Sequence, residues 1–532
     1  YGLLPKAQRQ RAHALTARWI ESRMGERVEE VIEILAEHLR LAGDDGRAAV
    51  YLHRAAQKAY RLYASADAIR LFDQALDSAT RVGLPPQEIA SLYLERGEVY
   101  QLMSAYPAAL ADFERGLAAA RQAADPGLEA ILEHHVGLIH HRELRLEEAE
   151  AHYTRAASLA RQVGDRRIMG LSLVDLANVG WDRGKVEPDD PSLAEGIAIL
   201  REVGDRQDLV RGLNLMCMVQ FSAGDGAAAI AAAQEALAVA REVGDKSREA
   251  TSLSYLSIVN LYLGRYRESV SHAEAALSLA REIGDRRRIA FAIDFIGRAK
   301  MFLGEWGEAI QLLEEALPQV REYAKIHLPF TLYALGTLYS ELGDEVRARP
   351  KLAEGSTLQP TNPAWRQNVL LSAIRRAQLE QDEAALTKAL DEILALPWNV
   401  FIPDDIEALL PVGEALLRAR RIDELRRFIA ARRDGVARLA VPPNLDLLEA
   451  QVAIHDGEPD EALSHLDRAN RWSEAHENVL VGIRGRELRL RLLNLEEDRE
   501  ALRAILGRIA ESLPDDLRAK FLASPRAAIL RD

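Results

Sequence analysis

The sequence predicts an all-α solenoid, a linear array of helical hairpins, and three observations carry that expectation. A five-residue phrase recurs on a fixed grid, as RQVGD from Arg161, REVGD from Arg201 and again from Arg241, and REIGD from Arg281. Arginine also stands at 81, 121 and 321, so seven arginines fall 40 residues apart. The composition, 48% hydrophobic and 28% charged with only 6% aromatic residues, is an alphabet of helix formers. At 532 residues the chain is too long for one compact core and suits an extended array.

One unit justifies its elements in order. Asp245 stands where a helix N-cap belongs, and Leu253, Leu256, Val259 and Leu263 then recur at three- and four-residue steps, which predicts a helix from Lys246 to about Tyr262. Gly264 ends it. Val270, Ala273, Ala276, Leu277 and Ala280 form the stripe of a second helix from about Tyr266 to Ile283, and Gly284 supplies the left-handed residue before Asp285 caps the next helix. Arg281 falls in the last turn, where a cation complements the helix dipole and can bond free carbonyls. The phrase is therefore punctuation, and Gly184, Gly224, Gly264 and Gly304 mark the turn inside each hairpin on the same grid.

Counting outward, hairpins are expected to begin near Asp45, Pro86, Pro126, Asp165, Asp205, Asp245, Asp285, Ala324, Asn362, Pro403, Pro442 and Glu477, about twelve in all. This divides the chain into a helical junction over 1–44, a regular array over 45–360, divergent shorter hairpins over 361–513 and a capping segment over 514–532. The insertion KVEPDDP (Lys185 to Pro191) lengthens one turn and shortens the helix after it.

LGRYRESVSHAEAAL (Leu263 to Leu277) and LGEWGEAIQLLEEAL (Leu303 to Leu317) resemble the inter-helix turn and second helix of tetratricopeptide repeats (TPR), with Tyr266 and Trp306 at the aromatic position and Ala276 and Ala309 at the small one. Ser269 stands where the pattern usually has Ala. The resemblance implies a TPR-like α-solenoid, a right-handed superhelix of hairpins, here with helices about a turn longer than in the standard 34-residue unit. The first 85 residues are more specific. Arg11 and His13 on one helix, LAEHLRLAGD (Leu35 to Asp44) and the run from Ala49 to Ala64 resemble the junction between winged helix and TPR array in bacterial STAND-type regulators of the MalT-like kind, and Ile505 to Leu530 resembles their terminal helix. That resemblance implies a sensor arm in a longer chain, regulating an effector module through an intramolecular ATPase domain. A first residue that is Tyr rather than Met agrees with a piece of a longer polypeptide.

Other classes are disfavoured. The net charge is −14 and the longest basic run is Arg286 to Arg288, so neither nucleic acid nor an anionic membrane surface is an expected partner. Cys217, the single cysteine, excludes an internal disulfide framework and reads as a buried small hydrophobe. No apolar run reaches the length of a membrane span and the start is not a signal peptide, so a cytoplasmic location is expected. There is no G-x-x-x-x-G-K-[ST], no G-x-S-x-G, no H-E-x-x-H and no paired-cysteine zinc spacing. Neither an enzyme, nor a cofactor, nor a metal is therefore expected. The polar cluster of His134, His135, His140 and His141, with Glu133 and His152 nearby, is the strongest metal candidate, but His134 and His141 lie about 10 Å apart along a helix.

If Gly264 anchors the register, the concave face of that unit carries Thr251, Ser254, Ile258, Leu261 and Tyr262. The grid extends this to Arg211, Asn214, Met218, Phe221 and Ser222 one unit earlier, to Asn178, Trp181 and Asp182 two units earlier, and to Phe291, Asp294, Arg298, Met301 and Phe302 one unit later. Large apolar side chains interspersed with Arg, Asn and Asp suit a groove for a protein, peptide or small-molecule effector. Two alternatives stay open: longer helices turn some of these residues into inter-unit core, and the whole chain is a stand-alone TPR scaffold joining protein partners. Self-association through terminal repeat faces is also left open.

Overall fold

A computed structural model describes residues 5–62, 64–103, 105–183, 190–359, 365–396, 402–433 and 443–531, and the expectations placed on Gly184, residues 185–189, Asn362 and Pro442 fall outside them. Every regular element among the described residues is a helix. The chain divides into two compact units, one of Tyr1–Val179 with Pro191–Asp205 and one of Gly180–Asp190 with Arg206–Asp532.

In the first unit, the helices Lys6–Met24 and Ile32–Ala42 precede the hairpins Asp45–Arg61 with Ser65–Val82, Pro86–Leu102 with Tyr106–Gln122, and Pro126–Arg142 with Leu146–Val163. Helix Arg166–Asp182 crosses the boundary between the units at residue 180. The second unit continues with Arg206–Ser222 and Gly226–Glu242, Lys246–Tyr262 and Tyr266–Ile283, Arg286–Phe302 and Trp306–Tyr323, and Leu328–Glu341 and Glu345–Thr357. Arg366–Glu380 with Glu383–Leu394, Ile402–Arg418 with Ile422–Ala430, Pro443–Asp456 with Pro459–His476, Val479–Leu493 with Glu496–Ser512, and a last helix Asp515–Ala523 complete it.

The punctuation works as local chemistry requires. Asp245 Oδ1 accepts from the Arg248 amide and Asp285 Oδ1 from the Arg288 amide, both at 2.9 Å, each cap contributing about 1 kcal/mol. Gly284 takes φ 72° and its amide bonds the Ala280 carbonyl. The grid arginines do more than complement dipoles. Arg121 Nε meets Glu129 at 3.0 Å, Arg241 Nε meets Glu249 at 2.7 Å and Arg321 Nε meets Glu354 at 3.0 Å, so each ties one helix end to a carboxylate of the next hairpin. These pairs are exposed and individually contribute little.

A solenoid is expected to bury each hairpin only on its neighbours. The second unit departs from this, because its last helices return to the central turns. Trp472 and His476 lie against Gly264, Val479 against Gly304 and Ser524 against Gly343. Asn478 Nδ2 donates to the Tyr266 hydroxyl at 2.6 Å, Arg267 Nε pairs with Glu477 at 2.6 Å, and Arg347 pairs with Asp516 at 2.8 Å. Lys520 reaches Asp344 at 2.6 Å, and Phe521 meets Trp306 in a T-shaped pair, ring centroids 6.1 Å apart.

Gly264 thus serves two needs, φ 74° and room for the Trp472 ring, which would stand 2.8 Å from an added Cβ. Gly284 has a similar φ with nothing within 4 Å. Gly284→Ala is expected to cost about 1 kcal/mol of left-handed strain, and Gly264→Ala that amount plus about 1–3 kcal/mol of overpacking. Urea denaturation of the two variants measures the difference.

Candidate functional site

The returning helices border a partly open cavity of about 160 Å³ within the second unit. Its wall is built from several helix faces. Leu261 and Tyr262 close helix Lys246–Tyr262, Tyr266 opens the next helix, and Arg298, Met301 and Phe302 come from the end of Arg286–Phe302. Tyr333, Thr337 and Glu341 are four apart on Leu328–Glu341 and therefore share a face. Arg375 enters from Arg366–Glu380, Glu414 from Ile402–Arg418, Trp472 from Pro459–His476, and Leu480, Val481 and Arg484 from Val479–Leu493.

Aromatic stacking shapes the apolar side. Tyr266 and Phe302 stack with centroids 4.9 Å apart and an interplanar angle of 18°. Arg298, only 2% exposed, donates to the Tyr262 hydroxyl at 3.2 Å and holds its guanidinium 5.1–5.7 Å from the rings of Phe295, Phe330 and Tyr262. That geometry replaces hydration by cation–π attraction.

The polar side centres on Glu341. Its carboxylate receives Arg375, Arg484 at 3.1 Å, and Arg526. Arg484 also reaches Glu414 at 3.4 Å and Glu487 at 3.5 Å, and Arg526 reaches Glu487 at 3.2 Å. Burial pushes the Arg375 guanidinium below and the Glu487 carboxyl above their ordinary ranges. Two buried donors on the wall have no hydrogen-bond partner, Thr337 Oγ1 and Arg375 Nε. Threonine in a helix commonly bonds a preceding carbonyl, as Ser340 does to Gly336 at 2.6 Å. Thr337 does not.

Of the residues expected to face a groove, Leu261, Tyr262, Arg298, Met301 and Phe302 line this cavity. Phe221 is fully buried against Tyr262 with centroids 5.7 Å apart, and Asn214, Met218 and Ile258 are also buried. Asp294 is buried and accepts from the Thr331 hydroxyl at 2.6 Å. Trp181 is half-buried and its Nε1 donates to Ser222 at 3.3 Å, while Asn178, Asp182 and Arg211 are half-buried and do not line the cavity. Sequence reasoning missed Thr337, Glu341, Arg375, Trp472 and Arg484, the last three of which belong to units beyond the regular array.

Beside the cavity, His327 packs edge-on to Phe291 at 4.4 Å and near Phe295 and Phe330. Burial, with the cations of Arg298 and Arg287, pushes its pKa down to about 3. The unfolded chain therefore takes up a proton near pH 6.5 that the folded chain refuses until about pH 3. Stability is expected to fall as pH drops through this window, by at most about 1.4 kcal/mol per pH unit from this group. His327→Gln should flatten that slope, read from denaturation midpoints at pH 7 and pH 4.5.

Other polar clusters are already occupied by protein partners. His134 Nε2 bonds Asp175 at 2.8 Å, His152 Nδ1 bonds Glu133 at 2.6 Å, and His140 stacks on His152 at 5.2 Å. Asp446, Glu449 and His465 converge closely enough to hold an ion, but Arg468 donates to Asp446 at 2.7 Å and Arg433 to Glu449 at 2.6 Å. Burial of Cys217 pushes its thiol up to about 12, which makes it unreactive. No described helix is long and apolar enough to cross a membrane.

A tetratricopeptide repeat family model matches residues 208–282. The fold is a TPR-like α-solenoid. No curated protein matches the chain. Among solved structures, a Rap protein complexed with competence and sporulation factor is 14% identical, with 74% of this chain and 99% of that one covered at a TM-score of 0.44. A STAND protein with a tetratricopeptide repeat sensor from Pyrococcus horikoshii is 14% identical, covering 65% of this chain and 52% of that one at 0.43. Aspartyl phosphate phosphatase F from Bacillus subtilis is 15% identical, covering 65% and 93% at 0.41.

Proposed function

We propose that this TPR-like chain is the non-catalytic sensor arm of a larger STAND-type regulator and that it binds a small molecule in the cavity of the second unit. The observation that supports this most is the lining of the cavity. A partly open cavity of about 160 Å³ bounded by aromatic rings and a few fixed charges has the character of a small-ligand pocket. The junction-like sequence over the first 85 residues supports attachment to an ATPase module. Binding there would bias the contact between the returning helices and the central turns, because the ligand touches both. Its leverage equals its differential affinity for the packed and released arrangements.

The test is to incubate the full chain with a metabolite extract filtered to below about 1 kDa and to identify retained compounds by native mass spectrometry. Leu480→Trp, which fills the cavity, is the control, with circular dichroism to verify its fold. A compound held by the parent chain and lost from the folded variant supports the sensor. Equal retention by both removes the cavity from the function.

A protein scaffold is the second reading, and one observation favours it. Leu15 and Trp19, one turn apart on helix Lys6–Met24, are 55% and 64% exposed, an arrangement suited to a partner surface.

A further inference from the structure

We infer that the outward face of helix Lys6–Met24 in the first unit is the docking surface for an acidic amphipathic helix of a protein partner, whose apolar residues cover Leu15 and Trp19 and whose carboxylates meet Arg11, Arg18 and Arg23. This extends the scaffold reading of Leu15 and Trp19 and does not depend on the cavity. The first support is the division of the helix into two faces. Ala17 and Ile20 are buried, and His13 Nδ1 lies 2.7 Å from His38 Nδ1 on the next helix, so that side is held against the unit. At about 100° per residue, Arg11, Leu15, Arg18, Trp19, Ser22 and Arg23 fall in one sector of about 140° on the opposite side. All six are exposed. An indole that is 64% exposed leaves most of a large apolar ring in water, where a partner gains most by covering it.

The second support is charge. The sector carries three guanidinium groups and no carboxylate. Glu21, the one acidic residue of the helix, lies outside it and accepts from Arg47 and, at 3.2 Å, from the Tyr51 hydroxyl. Among the described residues Arg11, Arg18 and Arg23 have no ion-pair partner, whereas Arg40, Arg47 and Arg54 on the following helices pair with Glu37, Glu21 and Glu29. In a chain of net charge −14 this face is a local reversal of sign. Its electrostatic complement is a surface that brings carboxylates.

The third support is shape. From Arg11 to Arg23 the face runs about 18 Å along the helix axis, with the apolar pair one turn apart at its middle. A second helix laid alongside offers leucines to Leu15 and Trp19 and, from its flanks, acidic side chains to guanidinium groups that bind carboxylates at two points. A bilayer calls for a wide apolar face, whereas Arg18 and Ser22 share this sector with the apolar pair. The overall charge of −14 further opposes anionic lipid and nucleic acid.

The experiment follows the fluorescence anisotropy of a labelled, stapled helical peptide of leucine and glutamate, about 18 residues long, as the full chain is added. Two further peptides carry glutamine or lysine in place of every glutamate. The glutamate peptide is expected to bind, the glutamine peptide about ten-fold more weakly and the lysine peptide not at all. Raising NaCl from about 50 to about 300 mM should weaken the glutamate peptide about five-fold, because exposed charges are screened. Trp19→Ala, and separately the triple variant Arg11→Gln, Arg18→Gln and Arg23→Gln, should each weaken it about ten-fold. Their thermal melting by circular dichroism should stay that of the parent, because all four side chains are exposed. If the glutamine peptide binds as well as the glutamate peptide and Trp19→Ala weakens both, the acidic assignment is overturned while the partner surface stands. If the glutamate peptide binds but neither variant weakens it, or if no peptide binds at about 0.1 mM, the inference and the scaffold reading of Leu15 and Trp19 fall together. If phosphatidylserine vesicles or duplex DNA hold the chain through Trp19 at about 150 mM salt, the occupant is not a protein helix and the inference is likewise overturned.

Discussion

Replacing Trp306 by alanine is expected to destabilise the second unit by about 3–5 kcal/mol, the range for deleting a fully buried large aromatic side chain. Trp306 is 0% exposed and ranks first by volume among the fully buried side chains. Its Nε1 donates to the Met301 carbonyl at 3.0 Å, so alanine also leaves that buried acceptor short of a bond. Its ring makes a T-shaped contact with Phe521, which ties the central hairpin to one of the last helices. The loss should therefore be felt at two places distant in sequence. Hydrogen exchange in Trp306→Ala is expected to rise in Glu496–Ser512 and Asp515–Ala523 as well as in the helix that carries Trp306. Loosening confined to residues 306–323 would show that the returning helices are held without this contact. The cavity wall should loosen with them, because Met301 accepts the indole bond and also lines the cavity.

The helices were legible in the sequence because their ends are local chemistry. Asp245 and Asp285 cap, Gly284 terminates, and the apolar stripes between them need no distant partner to be read. Half of the cavity was legible for the same reason, since the 40-residue grid places Tyr262 and Phe302 at equivalent positions. The other half was not. Trp472 meets Gly264 and Arg484 meets Glu341 across separations of 208 and 143 residues, and the spacing after Gly343 no longer transfers positions from one unit to the next. One signal was nevertheless present. Leu144 sits at the turn equivalent to Gly264 and adopts φ 61° without being glycine. Backbone conformation alone therefore does not demand glycine at 264, 304 and 343, and those three turns are the ones the returning helices cover. Glycine there reports a close approach, which reading it only as a helix stop overlooks.

Glu341→Gln should be nearly as damaging as the loss of Trp306, although it changes no volume. Removing one partner from a buried ion pair typically costs about 3–5 kcal/mol because the other charge is left uncompensated. Here the three guanidinium groups fare differently. Arg484 retains Glu414 and Glu487, and Arg526 retains Glu487. For Arg375, Glu341 is the carboxylate partner, so most of the cost should arise at this residue. A double-mutant cycle separates the contributions. Adding Arg375→Met to Glu341→Gln removes the stranded charge and supplies a side chain of similar length, and is expected to recover about half of the lost stability. Adding Arg484→Met should recover less, because that change strands Glu414 in turn. Equal recovery by the two would mean that the carboxylate is shared evenly.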